Sequence, residues 1–243
     1  MVVKLVTYAT HSDGTFEDIK NNKFGIDVVV LGWKQKWNGF MDKFKGVRQY
    51  LNTLNNDDIV IFIDGFDSQI LQSLDEVEKR FKRLNCGVLV SEDPEKPGRY
   101  ITKKIFGTCK DNRVANSGLY MGYVKHLKKV LDDVLKECEN CNDDQRNLNK
   151  VCENFDFIKV DRENFVFSNR GDRRACFVQN PGKASFKRYI LRGFKEYSQF
   201  FLVEFFIIFA ILFFVLKKYR LWVVGVFFIF VIIFALFSDT SCL

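Results

Sequence analysis

The chain has 243 residues, which is enough for one sizeable globular domain with an appendage. Its 37 Lys and Arg residues against 30 Asp and Glu residues give a net charge of +7, a modest excess that suits an anionic ligand or a membrane surface. The seven cysteines are odd in number and scattered along the chain, which argues against a small secreted domain framed by disulfides.

Strands and helices are predicted to alternate over residues 1–182. The first apolar stretch, "VVKLVTYAT", lacks the basic flank and the cleavage site of a signal peptide, so we predict a strand there. Further strands are predicted at "IDVVVLGW", "IVIFID", "CGVLVSE", "FDFIKVD" and "ENFVFSN". Apolar residues recur at helical spacing in "MDKFKGVRQYLNTL", "LDEVEKRFKRL" and "GYVKHLKKVLDDVLKEC". This order predicts an α/β domain whose central sheet is mostly parallel and covered on both faces.

Two long apolar runs, residues 199–216 and 221–238, lie near the C-terminus. Glu204 is the only charged residue in them, and each run is close to the roughly 17–25 residues needed to span a bilayer. Buried core helices normally keep a polar face, which these runs lack. We therefore predict two transmembrane helices joined as a hairpin by "KKYR", with a single span and one interfacial run as the alternative.

A basic linker, residues 183–198, precedes the first apolar run. Its five Lys and Arg side chains outnumber the three in the connecting turn, so the positive-inside rule predicts a cytoplasmic location for the globular part. Attraction to anionic membrane lipids accounts for this cluster, and no nucleic-acid partner is predicted. The five residues are Lys183, Lys187, Arg188, Arg192 and Lys195.

Two carboxylates follow closely on the predicted strand "IVIFID". Asp64 is its last residue and Asp67 follows after Gly65 and Phe66. Ligands bind at the carboxyl ends of strands in open α/β sheets, and buried carboxylates near each other repel unless a cation joins them. Mg²⁺ and Mn²⁺ prefer oxygen ligands and leave positions open for phosphate. The alternative at this point is a solvated Asp-Gly turn that only closes the strand.

Five segments resemble, in order, the glucosyltransferase domain of procollagen lysyl hydroxylases. "KLVTYAT" is similar to the family's first strand, "DKFKGVRQYL" to the start of its basic helix, and "IVIFIDGFDSQIL" to its aspartate motif. "ANSGLYMGYVKHL" resembles its S-G-G-F-I-G-Y segment, and "NDDQ" resembles its D-D-Q helix start. Each motif is weak alone, whereas five in the same order are fairly specific.

The resemblance implies a GT-A-like, Rossmann-like domain over residues 1–182 that transfers glucose or galactose from a UDP-sugar to a protein or glycan acceptor. It implies Mn²⁺ or Mg²⁺ as cofactor, with Asp64, Asp67 and Gln179 as ligands. Asp143, Asp144 and Gln145 would lie near the acceptor and the transferring sugar, with Asp143 and Asp144 flanking the acceptor. The implied contacts of the nucleotide-sugar are Thr7, Tyr8, Thr10, Lys43, Asn116, Ser117 and Gly118. Lys183, just after Gln179, would add a phosphate contact that partly replaces the charge of the family's metal-binding His.

The residues themselves leave simpler interpretations open. The small residues of Asn116–Gly118 predict a strand-to-helix turn, and such a turn would let a sugar approach closely. The alternative is a purely structural turn in which Asn116 or Ser117 caps the following helix. Asp143 and Asp144, at a predicted helix N-terminus, would stabilise the helix dipole in any case. Facing a cleft, they would also stabilise positive charge at the anomeric carbon.

One position departs from the family pattern. The family has a metal-binding His in an H-x-N-G segment, whereas "FVQNPGKAS" places Gln179 there. An amide oxygen is a weaker ligand for Mn²⁺ than imidazole, so a catalytically degenerate scaffold is the main alternative function. Of the two histidines, His11 follows the first strand and is predicted to face the cleft, and His126 is predicted to be a packing or surface residue.

Two further alternatives come from other parts of the sequence. A membrane-remodelling hairpin would make the globular domain incidental. Cys138, Cys141 and Cys152 suggest zinc, but a fourth ligand at suitable spacing is missing, and reduced cysteines in a cytosolic domain are the simpler interpretation.

Overall fold

The computed structural model describes residues 1–93, 99–137, 142–169, 171–179 and 197–237. Contacts divide the chain into two compact units, residues 1–182 and 183–243. The strands of the first unit are β1 (Val3–Tyr8), β2 (Val28–Leu31), β3 (Ile59–Asp64), β4 (Ser68–Ile70), β5 (Val88–Glu92), β6 (Ala115–Tyr123), β7 (Ile158–Asp161), β8 (Phe167–Ser168) and β9 (Phe177–Gln179). Its helices are α1 (Phe16–Lys20), α2 (Met41–Leu51), α3 (Leu74–Arg83), α4 (Arg99–Phe106), α5 (Val124–Glu137) and α6 (Asp144–Cys152).

A six-stranded sheet with the order β2-β1-β3-β6-β5-β7 forms the centre of the first unit. The pairs β1–β2, β1–β3 and β5–β7 are parallel, and only β6 runs against its neighbours β3 and β5. The predicted α/β domain with a mostly parallel central sheet is therefore confirmed. A second sheet of three short strands has the order β4-β9-β8.

Alternate residues of β3 contact two separate hydrophobic layers, which explains why this strand is apolar throughout. Val60 and Phe62 pack with residues of α2, α5 and α6, whereas Ile59, Ile61 and Ile63 pack with residues of α1 and α3. A strand buried on both faces needs apolar side chains at every position. The sheet is thus the middle layer of three, and the ends of its strands are the surfaces left open to a ligand.

The turn predicted at Asn116–Gly118 is wrong, because this segment is part of a strand. All three residues lie within β6, which pairs with β3 up to Leu119 and with β5 on its other edge. The β5–β6 register shifts between Val90 and Ser91, so this part of β6 bulges. Helix α5 begins directly after the strand, at Val124, and neither Asn116 nor Ser117 caps it.

The cysteines also differ from the sequence expectation. Cys109 and Cys152 form a disulfide with a Cα–Cα distance of 5.2 Å, which ties the segment before β6 to the end of α6. Cys152 is thereby unavailable to the suggested zinc site, and Cys138 and Cys141 lie outside the described residues.

The second unit contains α7 (Leu202–Val215) and α8 (Arg220–Phe237). The two helices pack antiparallel, since Phe205 contacts Phe230 and Phe209 contacts Phe227, with ring centroids 4.3 and 5.1 Å apart. Arg220 donates from Nε to the carbonyl of Phe213 across the connection. Two segments here, Ser198–Val215 and Lys217–Leu236, are long and apolar enough to cross a membrane by length and composition.

Candidate active site

The carboxyl ends of β1 and β3 lie side by side and carry the predicted site. Tyr8 and Asp64 are register partners at the last position of the two parallel strands. A cavity of 350 Å³ opens at this edge. It is lined by Tyr8, Ala9, Thr10, His11, Trp37, Phe40, Lys43, Asp64 and Phe66.

Glycines allow the loop after β3 to lie close to the loop after β1. A Cβ on Gly65 would lie 2.9 Å from the carbonyl oxygen of Tyr8, and a Cβ on Gly14, where φ is +54°, would lie 1.9 Å from that of Phe66. Thr15 donates its backbone N–H to the Phe66 carbonyl. The loop that carries Asp67 is therefore fixed by backbone contacts, as a binding site requires.

Lys43, in the first turn of α2, joins two carboxylates from different parts of the chain. Its Nζ lies 2.7 Å from Oδ2 of Asp144 and 3.4 Å from Oδ2 of Asp64. Ser117 donates from Oγ to the same Asp144 oxygen at 2.7 Å. Four residues predicted from separate motifs thus form one hydrogen-bonded cluster.

The charge of Lys43 is stabilised by its surroundings although the side chain is buried. Burial acts to lower the pKa of Lys43, but the carboxylates of Asp144 and Asp64 outweigh it and raise that pKa well above its usual value. Lys43 is therefore a permanent cation between the two acids at any physiological pH.

Asp67 is paired with Gln179 rather than with a cation. Gln179 ends β9, whose pairing with β4 places it opposite Ser68. Its Nε2 donates to both oxygens of Asp67, at 3.0 and 3.2 Å. Gln179 is only 5% exposed, and its Oε1 is buried without a hydrogen-bond partner.

Gly118 provides the space that Gln179 occupies. A Cβ at this position would lie 2.6 Å from both Oε1 and Nε2 of Gln179. Real Cβ atoms do not approach a neighbour so closely, so any larger residue here displaces the amide. Gly118 therefore positions Gln179.

Asp67 has an unusual affinity for protons. Burial, and after it the negative charge of Asp64, raises the pKa of Asp67 to about 7, although the hydrogen bond from Gln179 acts in the opposite direction. When Asp64, Asp67 and Asp144 are all ionised, Lys43 neutralises one of the three charges and a net charge of −2 remains in this group.

The other two acidic-motif residues serve the start of α6. Asp143 is its N-cap and accepts from the backbone N–H of Arg146 at 2.8 Å. Gln145 donates to Oδ2 of Asp93 at 2.8 Å. Of the three residues, only Asp144 contacts Lys43.

The family model described as the PLOD GT domain matches residues 1–172. The chain belongs to the PLOD glycosyltransferase-domain family.

Individual relatives of this family match over part of their length. The chain is 28% identical over 164 residues to the procollagen-lysine,2-oxoglutarate 5-dioxygenase of Drosophila melanogaster. The aligned region covers 61% of this chain and 22% of that protein. It is 30% identical over 162 residues to the multifunctional procollagen lysine hydroxylase and glycosyltransferase of Caenorhabditis elegans. Here the aligned region covers 58% of this chain and 21% of that protein. The chain thus spans about a fifth of the length of the curated relatives it matches.

Solved structures to which this chain is similar include the galactosyltransferase LgtC in complex with donor and acceptor sugar analogues. The match has a TM-score of 0.45 at 14% identity and covers 74% of this chain and 88% of LgtC. A second match, the bifunctional glycosyltransferase WbbM, has a TM-score of 0.47 at 12% identity. It covers 75% of this chain and 46% of WbbM.

The remaining predicted contacts of this PLOD-type domain lie in different surroundings. Thr7 is fully buried and donates from Oγ1 to the carbonyl of Ile63, so its side chain is turned away from the cavity that Tyr8 and Thr10 line. Asn116 accepts the backbone N–H of Gly118 within β6. Lys183 lies outside the described residues.

Aromatic residues of the cavity were missed by the sequence analysis. Trp37, Phe40 and Phe66 all line it, and Trp37 is 43% exposed. Phe66 lies between the two aspartates, and its ring faces that of His11 at 5.2 Å. The sequence does contain a pattern that could have identified these residues. One aromatic residue lies inside the D-x-x-D segment, and two more lie just before the basic helix.

The donor set fits a hard divalent cation. Among the described residues, no group of three His, Cys, Asp or Glu side chains could hold a metal ion. Asp64 and Asp67 do offer carboxylate oxygens, and Gln179 adds an amide oxygen that is buried and lacks a partner. Oxygen ligands with a net charge of −2 nearby suit Mg²⁺ or Mn²⁺.

Proposed function

We propose that the chain is a membrane-anchored, metal-dependent glycosyltransferase that transfers a hexose, glucose or galactose, from a UDP-sugar to a protein or glycan acceptor. The observation that carries this proposal is the position of Lys43, Asp64 and Asp144 beside an aromatic cavity at the carboxyl edge of the sheet. Membership of a glycosyltransferase-domain family supports it.

The cavity has the chemistry expected of a nucleotide site. Stacking of a base on an aromatic ring contributes about 1–3 kcal/mol in proteins, and Trp37 and Phe66 offer such rings. Lys43 lines the same cavity and would contact the diphosphate there. Bound Mg²⁺ or Mn²⁺, held by Asp64 and Asp67, would neutralise the diphosphate leaving group.

Asp144 is the residue we assign to the reacting sugar. Its carboxylate is held in one orientation by Ser117 and Lys43, both at 2.7 Å. A carboxylate fixed in this way stabilises positive charge that develops at the anomeric carbon without having to reorganise. Asp143 acts on the same helix as its cap and so positions Asp144.

Membrane anchoring is assigned to α7 and α8. Their outward faces consist of exposed large apolar side chains, Phe206, Ile211 and Ile229 among them, which water solvates poorly. Lipid would cover these faces, and the basic linker would attract anionic headgroups.

The test is turnover by the full-length chain in detergent micelles. We expect Mn²⁺-dependent hydrolysis of, or transfer from, UDP-glucose or UDP-galactose. Asp64→Ala and Asp67→Ala should lose at least about 100-fold in kcat, since each removes a charge from the diphosphate and cation site. Asp57→Ala, an exposed acid before β3 that pairs with Lys125, is the matched control. Full activity in both site variants would refute the assignment.

A nucleotide-binding scaffold without turnover is the second candidate. The hydrogen bond from Gln179 to Asp67 favours it, because Asp67 is satisfied without a cation. Calorimetry with UDP and Mn²⁺ distinguishes the two functions: binding without turnover of any UDP-sugar supports the scaffold.

A further inference from the structure

The side-chain amide of Gln179 has two chemically different ends in a site where only one has a partner. Nε2 donates to Asp67, and Oε1 is buried without a hydrogen bond. When Asp67 is ionised, its carboxylate only accepts hydrogen bonds, so the NH₂ end of Gln179 faces it in the absence of a cation. Gln179 thus holds a buried carbonyl oxygen that no hydrogen bond occupies, and such an oxygen is available as a ligand for a cation.

The position of this amide is fixed by three independent contacts. The β4–β9 pairing sets Gln179 opposite Ser68, next to Asp67 in the chain. The hydrogen bonds to Asp67 hold its end, and Gly118 leaves room for the amide and no more. Rotation about the last side-chain bond of Gln179 would exchange the amide oxygen and nitrogen without moving the rest of the side chain.

We propose that Gln179 determines the cation preference of this site. Its amide donates to Asp67 in the absence of a cation and turns its oxygen to the cation when one binds between Asp67 and Asp64. The site then has oxygen ligands only, which favours the hard cation Mg²⁺ over softer divalent metals such as Co²⁺ that bind nitrogen ligands well. This inference rests on the proposed function and specifies which cation the same site takes.

The test compares Mg²⁺ and Co²⁺ in the full-length chain, in detergent, saturated with UDP. Calorimetry gives the ratio of the two dissociation constants, Kd for Mg²⁺ over Kd for Co²⁺. Gln179→His replaces the amide oxygen by an imidazole nitrogen, and we expect it to raise this ratio at least about tenfold. Gln49→His places the same imidazole on an exposed position of α2 and should leave the ratio unchanged.

A second variant keeps the test valid if Gln179→His does not fold. Gln179→Glu has the same shape, but its carboxylate repels Asp67 in the absence of a cation. We expect a lower melting temperature than wild type without metal and a larger rise on addition of Mg²⁺. Equal rises in wild type and variant would overturn the proposal.

The possible failures are distinguishable. An unchanged ratio in Gln179→His, or an equal change in Gln49→His, overturns the role of Gln179 and leaves UDP binding intact. Absence of UDP binding in the wild-type chain overturns both this inference and the proposed function.

Discussion

Lys43 shows how one side chain links motifs that are far apart in sequence. It contacts Asp64, at the end of β3, and Asp144, at the start of α6. Breaking a buried ion pair by removing one partner typically costs 3–5 kcal/mol, because a charge is left buried and unpaired. The resemblance suggested a phosphate contact for Lys43, whereas its carboxylate partners became evident only from the fold.

His126 gives a pH prediction at the scale of a single residue. Its ring packs on Phe157 at 4.3 Å and its Nδ1 is buried without a partner. Burial, and after it the charges of Lys125 and Lys129, lowers the pKa of His126. The folded state therefore prefers the neutral ring, and this contribution to stability is lost as the pH falls below the unfolded value of about 6.5.

We expect the thermal midpoint of the full-length chain to fall between pH 7.5 and 5, and His126→Leu to reduce that fall by about 2 °C or less. The effect is small because the ring is partly solvated. Differential scanning calorimetry measures it. An identical fall in the wild type and His126→Leu would contradict the assignment.

At the scale of elements, Asn149 connects α6 to β6. Its Oδ1 accepts the backbone N–H of Ala115, and its Nδ2 donates to the carbonyls of Ala115 and Gln145. Both Asn149 and Ala115 are fully buried. One amide thus fixes the helix that carries Asp144 to the strand that carries Ser117.

Asn149→Ala should lower the free energy of unfolding by about 2–4 kcal/mol, because it leaves buried backbone groups of β6 unpaired. Urea denaturation measures this change. Turnover of a UDP-sugar should fall too, since α6 loses its fixed distance from Ser117. Asn56→Ala, at an exposed loop position, should stay within about 0.5 kcal/mol of wild type. A variant as stable as wild type would show that α6 is held by other contacts.

Elements were predictable from the sequence where a periodic apolar pattern decided them, as in β3 and α5. The bulged part of β6 was not, because small residues such as Asn116 and Gly118 favour turns locally. Asn116 is held in the strand by its pairing with Ser91 of β5, and Gly118 lies in the bulge just before Leu119, which pairs with β3. The resemblance suggested the candidate acids Asp64 and Asp144, whose roles stay predictions. It did not suggest the aromatic lining, because the direction of Trp37 depends on the loop before α2.

At the scale of the whole molecule, two features predict opposite sides of a membrane for the globular unit. The five basic residues before α7 favour the cytoplasmic side. The disulfide between Cys109 and Cys152 favours an oxidising compartment, since cytosolic thiols are kept reduced. Charge bias orients short loops, whereas long domains translocate largely regardless of it. The disulfide is therefore the stronger indicator.

We accordingly predict that the globular unit lies on the non-cytoplasmic side and that Cys109 and Cys152 are oxidised there. In sealed membrane vesicles, added protease should leave this unit intact until detergent is present. The two cysteines should react with maleimide only after reduction, whereas Cys86, half-buried and unpaired by a disulfide, serves as the thiol control. Closing a loop of 43 residues contributes about 4 kcal/mol in the chain-entropy model, so reduction should lower the thermal midpoint by several degrees. Digestion of the unit in intact vesicles, together with free thiols at both positions, would place it in the cytoplasm instead.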